Sequence, residues 1–452
     1  MISAAFQGRA VAARFARPAA LVLAMLAATA APLALAPAGA ATVAVVAAGQ
    51  SVSDFYDAHG DRPVWFGPSY DDRSAAIALI ELLRSAEADG LDPARYDIAG
   101  IARALIAADQ GSYEALRDAD RRLSEALVAY ARDLRRAPSA DMLWVDSALR
   151  PLPPTAREVL DAFVAAPSRA RFVAELGWMN PLYTELRQAL VTGSLAAEER
   201  ALVRLNLERA RALPSPKGRY VLVNAGSAEL GMYEDGRLVD RMRVVVGKPS
   251  QPTPMLAALI RYTSLNPYWN VPPDLTAERI APNVLKEGLG YLKAKGYEVF
   301  AGWEEDAPLL DPAEVDWQAV AGRRSDIRVR QRPGPHNGMG QMKFMFPNSA
   351  GVYLHDTPQK ELLSEESRLF SGGCVRLEDA PRLARWLYGR ELRPAGRTPE
   401  QRVDLDREVP VYITYLTAVP QGGRIAFLPD VYGRDRQALA RLGGGTVLAS
   451  RR

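Results

Sequence analysis

Residues 370–376 read Phe-Ser-Gly-Gly-Cys-Val-Arg and contain Cys374, the only cysteine among the 452 residues. A lone thiol has no partner in its own chain with which to form a disulfide. The two glycines before the cysteine favour a tight exposed turn, and the arginine two residues after it adds positive charge. These features favour a reactive thiol. The alternative is a buried, inert cysteine that behaves as a small hydrophobic residue.

A histidine lies 19 residues upstream, in a stretch at 353–357 that reads Tyr-Leu-His-Asp-Thr. A cysteine nucleophile needs a base that removes its proton, and His355 is suited to that role. If this stretch is a strand, Tyr353 and His355 share one face. The other two histidines stand elsewhere in the chain and create no zinc-ligand spacing with the cysteine. We therefore predict no metal and no cofactor.

The first 40 residues have the pattern of an export signal. They carry three arginines and no acidic residue, an apolar run at 19–35 and small residues at 38–40. We predict a signal peptide at residues 1–40, cleaved near Ala40, and hence a periplasmic protein. The alternative of a retained membrane anchor is disfavoured by the prolines of this segment, and association with the membrane or the cell wall stays open.

The charge balance excludes one class of partner. The chain has 56 basic and 53 acidic residues, so removing the three arginines of the signal leaves 53 of each. A mature chain without net charge and without a basic block gives no indication of nucleic-acid binding. About 410 mature residues are enough for two or three domains with substantial cores.

The first half of the mature chain reads as helical. Apolar residues spaced three and four apart, as at 75–83 and 123–134, predict helices. The pattern changes at 214–218, Pro-Ser-Pro-Lys-Gly, after which strands are expected. Four aromatic residues near the start are expected to pack in the core rather than to stack on a sugar: Phe55, Tyr56, Trp65 and Phe66.

The second half reads as β-rich with one insertion. Alternating residues predict strands at 220–224, 229–233, 237–246, 341–346 and 352–355. Between them, residues 275–292 have a helical pattern. After the cysteine, Asp379 is expected to cap a short helix that has Pro381 in its first turn.

Two of these stretches, 353–357 and 371–376, together resemble the signature of the L,D-transpeptidases, exported enzymes that remodel peptidoglycan through a catalytic cysteine. Other stretches are similar to the large subgroup that has a helical scaffold domain and a capping insertion: 266–272, 332–335 and 343–348. The resemblance covers roughly residues 50–435 and is strongest over 217–418.

The resemblance implies an α+β multidomain fold. An N-terminal all-α scaffold is followed by a β-rich L,D-transpeptidase catalytic domain with an inserted mixed capping subdomain that gates substrate entry. The expected limits are 1–40 for the signal peptide, 41–216 for the scaffold domain, 217–418 for the catalytic domain, about 273–326 for the capping insertion and 419–452 for a C-terminal extension.

The resemblance also implies roles for individual residues. Cys374 is the nucleophile and His355 the general base and acid, while Gly372 and Gly373 bring oxyanion-stabilising N–H groups close. Three residues are expected to contact substrate: Tyr353, Ser371 and Arg376. Two alternatives stay open, because Ser371 can serve as a turn-forming hydroxyl and Arg376 can pair with Asp379.

The function implied is formation of 3-3 cross-links between peptidoglycan stem peptides through a cysteine thioester, in cell wall biogenesis and the maintenance of cell shape. The partners are a donor tetrapeptide and an acceptor amine, and the family reacts with carbapenems. One alternative is a carboxypeptidase, a thiol hydrolase of stem peptides. A non-catalytic wall-binding protein is another. Contacts with other cell-wall enzymes and the oligomeric state stay open.

Overall fold

The computed structural model describes residues 51–67, 70–136 and 141–449. The predicted signal peptide at residues 1–40 lies outside these ranges. Within them, no helix has a stretch long and apolar enough to cross a lipid bilayer.

The N-terminal half is helical, as predicted. Ser51 and Thr155 begin two of its helices with capping boxes, in which a side-chain oxygen accepts a backbone N–H of the first turn. The described residues before 217 form these α-helices: Val52–Ala58, Tyr70–Arg84, Ile98–Asp109, Tyr113–Leu134, Ala156–Ala165, Arg169–Ala174, Pro181–Thr192 and Ala197–Ala210.

The aromatic residues at the start of this half are core residues. Phe55, Tyr56 and Trp65 are buried, and Phe66 packs partly buried against the same core. The buried carboxylate of Asp120 ties them together, because it accepts hydrogen bonds from the Tyr56 hydroxyl and from the Trp65 backbone N–H. The prediction that these rings pack in the core is confirmed, and the three buried rings have no face left for a sugar.

The second half is built mainly of strands. The strands of the described chain are β1 Leu143–Trp144, β2 Arg219–Asn224, β3 Glu229–Glu234, β4 Arg237–Gly247, β5 Leu256–Leu265, β6 Trp269–Val271, β7 Tyr297–Phe300, β8 Arg328–Gln331, β9 Met342–Met345, β10 Leu354–His355, β11 Leu369–Ser371, β12 Val375–Leu377, β13 Gln401–Thr414, β14 Ala418–Gln421 and β15 Arg424–Phe427. The expected fold class, a helical region followed by a β-rich catalytic domain, is confirmed.

The main sheet closes on itself. Its strands follow the order β5, β13, β2, β3, β4, β12, β10, β9, and β9 pairs with β5 as well as with β10. Strand β11 pairs with β4, and β1 pairs parallel with β5. The helical half therefore also donates a strand, which the prediction of an all-α scaffold did not include. Strand β1 has only two residues, which is too short for an alternating pattern to be seen in the sequence.

Three neighbouring strands separate the core from a polar surface. Strand β10 pairs parallel with β12 and antiparallel with β9. The register aligns three fully buried apolar residues: Phe344, Leu354 and Val375. It aligns three polar residues at the next position: Lys343, His355 and Arg376. Because side chains alternate along a strand, the two sets occupy opposite faces.

A helix follows β12. Asp379 accepts a hydrogen bond from the Arg382 backbone N–H and caps the helix Ala380–Tyr388, whose first turn contains Pro381. Leu383 and Leu387 are on its buried face. The predicted capping and the predicted short helix are confirmed.

The insertion forms a cap with a core of its own, separate from the main apolar cluster. Its sheet has the order β6, β8, β7, so it includes residues 269–271 and 328–331, which flank the predicted limits of 273–326. The stretch expected to be helical at 275–292 is interrupted at Gly288, where φ is +78°. The cap helices are Pro273–Leu275, Ala281–Glu287, Gly290–Lys295 and Trp317–Ala321, with a π-helical turn at Thr276–Ile280.

The C-terminal residues pack back onto the helical half. Strands β14 and β15 form a hairpin, and the helix Arg434–Ala449 follows. The carboxylate of Asp435 lies 2.6 Å from the guanidinium of Arg209, and both side chains are almost fully buried. One apolar cluster extends from the helical half through the main sheet, so these segments share a single core.

Candidate active site

The chain turns sharply between β11 and β12, at the segment that contains Cys374. Gly373 has φ +113°, which a residue with a side chain would adopt only under strain. The Ser371 hydroxyl donates to the Cys374 carbonyl oxygen at 2.6 Å and accepts the Gly373 N–H at 3.1 Å. The Thr253 hydroxyl donates to the Gly373 carbonyl oxygen at 2.8 Å. These hydrogen bonds hold the loop in one conformation.

The same hydrogen bonds change two of the expected roles. Ser371 is buried and its hydroxyl is used inside the loop, so it is the turn-forming residue and not an exposed substrate contact. The Gly373 N–H is also used, by Ser371. Within the described chain, the N–H groups of Gly372 and Cys374 have no hydrogen-bond partner. These two groups are therefore the ones free to meet an oxyanion.

The Cys374 thiol is partly accessible. It donates to the Gly351 carbonyl oxygen, with a sulfur–oxygen distance of 3.6 Å. Burial raises the pKa of Cys374, against the opposing effects of the Tyr353 backbone N–H, Lys343 and Arg376. The thiol is therefore protonated at neutral pH.

His355 is held as a neutral base. Its Nδ1 lies 2.5 Å from the Asp356 carbonyl oxygen, which can only accept, so the geometry assigns the ring proton to Nδ1. The lone pair of Nε2 is left to take a proton. Burial, together with the charges of Arg376 and Lys343, lowers the pKa of His355 to about 3. The imidazole is uncharged at neutral pH.

The parallel pairing of β10 with β12 brings the two reactive residues onto adjacent strands. His355 is level with Arg376, and the Val375 N–H donates to the Tyr353 carbonyl oxygen at 2.9 Å, which sets Tyr353 beside Cys374. In the described chain no hydrogen bond joins His355 to Cys374. Such bonds are often formed only when the substrate is bound.

Arg376 lies at the edge of the site. Its Nη1 donates to Gln359 Oε1 at 2.7 Å, while Asp379 caps the following helix, so the alternative pairing with Asp379 is not formed. Burial lowers the pKa of Arg376, and the positive charge of Arg279 in the cap lowers it further. Two guanidinium groups from different parts of the molecule thus face one region, an arrangement suited to a carboxylate.

Tyr353 forms a wall of the site. Its partly buried ring lies 3.7 Å from the Lys343 ammonium, measured to the ring centroid, and packs near the ring of Phe346. Lys343 was not among the site residues predicted from the sequence. What places it in the site is its position in the strand Met342–Met345, directly opposite His355 in the register.

The cap lies directly over the cysteine loop. A Cβ at Gly372 would come within 3.4 Å of Leu275 in the cap. Two polar contacts join the cap to the loop at 247–254: Lys248 to Glu278 at 3.1 Å, and the Gln251 amide to the Asp274 carboxylate. The cap therefore borders the surface through which Cys374 is approached.

A protonated thiol, a neutral imidazole and two free N–H donors suit one reaction class. They fit acyl transfer through a thioester, in which the base removes the thiol proton as the sulfur attacks a carbonyl group. Among the residues that the structure describes, no group of three or more His, Cys, Asp or Glu side chains could hold a metal ion.

Comparison with known families matches two segments of the chain. Residues 50–190 match a scaffold domain, and residues 218–413 match the L,D-transpeptidase catalytic domain. Among curated proteins, the chain is similar to one named "Putative L,D-transpeptidase" from Haemophilus influenzae, with 32% identity over 280 residues. The match covers 59% of this chain and spans 55% of that protein.

Solved structures give weaker likenesses. An L,D-transpeptidase from Mycobacterium smegmatis is 14% identical with a TM-score of 0.22, over 44% of this chain and 60% of that chain. The catalytic domain of an E. faecium L,D-transpeptidase is 14% identical with a TM-score of 0.21, over 44% of this chain and 97% of that chain. With TM-scores this low, these structures are not used to infer the fold of the chain. On the two matched segments, the chain therefore carries a scaffold domain at 50–190 followed by an L,D-transpeptidase catalytic domain at 218–413.

Proposed function

We propose that this protein is a peptidoglycan L,D-transpeptidase that forms 3-3 cross-links between stem peptides through a thioester on Cys374. The observation that carries the proposal is the contact of His355 Nδ1 with the Asp356 carbonyl oxygen, which leaves Nε2 as the basic nitrogen on the strand beside the half-buried Cys374. The match to the L,D-transpeptidase catalytic domain supports the choice of peptidoglycan stem peptides as the substrate class.

In the first half-reaction, the Cys374 sulfur attacks the carbonyl carbon that joins residues three and four of a donor tetrapeptide. His355 Nε2 takes the thiol proton as the carbon–sulfur bond forms. The N–H groups of Gly372 and Cys374 stabilise the charge on the carbonyl oxygen, a contribution of about a hundredfold in rate per donor. The amide bond then breaks, and His355 returns the proton to the departing amine of residue four. A thioester remains.

In the second half-reaction, an amine of a second stem peptide attacks the thioester carbon. His355 takes a proton from the attacking nitrogen, an amide bond forms and the carbon–sulfur bond breaks. The sulfur leaves as a thiolate and regains a proton from the imidazolium, which restores the resting pair. If water attacks in place of the amine, the product is a tripeptide and the enzyme is a carboxypeptidase.

Export to the periplasm is part of the same proposal, because stem peptides are found there. The support is the arginine-rich start, apolar run and small residues of residues 1–40. N-terminal sequencing of the protein from a periplasmic extract is expected to begin near residue 41. A chain that keeps its first residues would contradict cleavage.

The decisive test is the incubation of purified protein with tetrapeptide muropeptides, followed by mass spectrometry. Wild type is expected to give cross-linked dimers, and Cys374→Ala is expected to give none because no thioester can form. Formation of tripeptide without dimers would show that the enzyme hydrolyses stem peptides and does not cross-link them. Dimers from Cys374→Ala would overturn the cysteine mechanism. A carbapenem adduct on wild type and not on Cys374→Ala would support the same nucleophile.

A further inference from the structure

Lys343 is a lysine at the site that forms no ion pair with an acidic side chain among the described residues. Lys343 is on β9 directly opposite His355, and its side chain is partly buried. Its ammonium lies over the Tyr353 ring, 3.7 Å from the centroid. Among the described residues it forms no hydrogen bond and no ion pair. Burial lowers the pKa of Lys343, while the charges of Cys374 and Glu400 oppose that effect. An aromatic face attracts a cation without neutralising it, so the ammonium keeps its charge over the ring.

The position of the ammonium connects it to the nucleophile. Tyr353 contacts both groups: its ring lies under the ammonium, and its backbone N–H is directed at the Cys374 sulfur. Lys343 and Cys374 interact electrostatically, and each charge favours the ionised form of the other. Because the site is partly buried, this attraction is screened less than it would be on the surface.

Other charged and titratable groups surround the pair, and of these Arg376 also favours the ionised form of Cys374, with a smaller effect than Lys343. Arg376 is bonded to Gln359, and the Asp356 carboxylate is bonded to Lys360. The groups that interact with Lys343 or Cys374 are Tyr353 and His355 on β10, Arg376 on β12 and Glu400 before β13. One shell further out, Tyr262 interacts with Tyr353, and Arg279 and Glu361 interact with Arg376. Glu400 favours the charged form of Lys343, and its carboxylate also accepts the Tyr268 backbone N–H.

We propose that Lys343 is a positioning residue whose ammonium, held on the Tyr353 ring, stabilises negative charge on the Cys374 sulfur. The inference rests on the proposed role of Cys374 as nucleophile. Lys343 acts at the two steps in which the sulfur carries negative charge. These are the attack on the donor carbonyl and the departure from the thioester.

The sole cysteine makes a direct test possible. Iodoacetamide is neutral and reacts much faster with a thiolate than with amines, imidazoles or thioethers, and Cys374 is the only cysteine of the chain. The reaction displaces iodide and forms a carbon–sulfur bond, and Cys374→Ala gives the background rate. The rate is followed from pH 6 to pH 10 by intact mass, without any peptide substrate. The variants are Lys343→Gln, Lys343→Arg and, as a matched control, Lys286→Gln on the exposed surface of the cap.

We expect Lys343→Gln to be alkylated about tenfold more slowly at pH 7.5, with an apparent pKa about one higher. Lys343→Arg keeps the charge and is expected to follow wild type, as is Lys286→Gln. Circular dichroism checks folding, and Lys343→Met replaces Lys343→Gln in the comparison if the glutamine variant does not fold.

Two results would overturn the inference. One is a profile of the neutral variant that overlays the wild-type profile. The other is slower alkylation by the anion iodoacetate with unchanged alkylation by iodoacetamide, which would assign the lysine to an anionic ligand instead of to the sulfur. Because no peptide is present, the outcome is independent of whether the protein cross-links muropeptides.

Discussion

At the scale of single residues, the reactive pair is uncharged in the resting protein. Burial raises the pKa of Cys374 and lowers that of His355, so no thiolate–imidazolium pair forms in the free site. The Asp356 carbonyl oxygen decides which ring nitrogen holds the proton. In the proposed mechanism the base is therefore ready before a substrate arrives, and the proton moves only when the sulfur attacks.

The neutral state of His355 predicts an acid-sensitive fold. Its pKa is about 3 when folded and near 6.5 when unfolded, so the unfolded chain binds more protons between these values. Stability is complete above about pH 6.5 and falls toward pH 3, by up to about 1.4 kcal/mol per pH unit from this group.

Urea unfolding at pH 7 and pH 5 tests this expectation. His355→Gln should lose less stability than wild type between the two pH values, because it has no imidazole to protonate. His336→Gln, which removes an exposed imidazole, should keep the wild-type difference. An equal loss in wild type and His355→Gln would contradict a buried neutral histidine.

The sequence identified some residues of the site and missed others for physical reasons. Cys374 and His355 stand out because they are rare and lie in a short local pattern. The competing uses of Ser371 and of the Gly373 N–H depend on a hydrogen bond within the folded loop, which spacing does not reveal. Lys343 joins the site only through the register of β9 with β10.

At the scale of elements, the cap is fastened to the catalytic domain near the cysteine by few polar contacts. The Glu278 carboxylate forms ion pairs with Lys248 at 3.1 Å and with Arg323 at 2.8 Å. Only the pair with Lys248 joins the cap to the loop at 247–254. Exposed ion pairs contribute up to about 1 kcal/mol. The sequence predicted the insertion but not its three-stranded sheet, because β6 and β8 are short and their partners lie far apart in the chain.

Breaking this contact is expected to increase access to Cys374. Glu278→Gln removes the attraction to Lys248, and we expect an increase of up to about fivefold in the open population. Modification of Cys374 by a bulky maleimide should accelerate accordingly, while the small reagent iodoacetamide reacts at the wild-type rate. Glu287→Gln, at an exposed position of the same cap, is the control. Equal maleimide rates in all three proteins would show that this ion pair does not restrain the cap.

At the scale of the whole molecule, a buried ion pair joins the C-terminal helix to the helical half. Arg209 and Asp435 are 2.6 Å apart, with side-chain exposures of 6% and 5%. Removing one member of such a pair leaves a buried charge without compensation. This contact could not be predicted from the sequence, since 226 residues separate the partners along the chain.

Asp435→Asn is expected to destabilise the fold by about 3–5 kcal/mol in urea unfolding, because Arg209 stays buried and charged. The double variant Arg209→Met/Asp435→Leu should recover most of that loss, since it buries apolar groups in place of the pair. The exposed pair Asp141–Arg441 provides the control, and Asp141→Asn should cost less than about 1 kcal/mol. Similar losses for Asp435→Asn and Asp141→Asn would contradict the importance of burial.

The single apolar core under the helical half and the main sheet has a consequence for how such proteins evolve. A recombination event that moved residues 218–413 alone into another gene would leave the sheet without the helices that cover it, and β5 without β1. Such a fusion would expose a large apolar surface and be prone to aggregation. The segments at 50–190 and 218–413 should therefore be inherited together, as one unit of exchange.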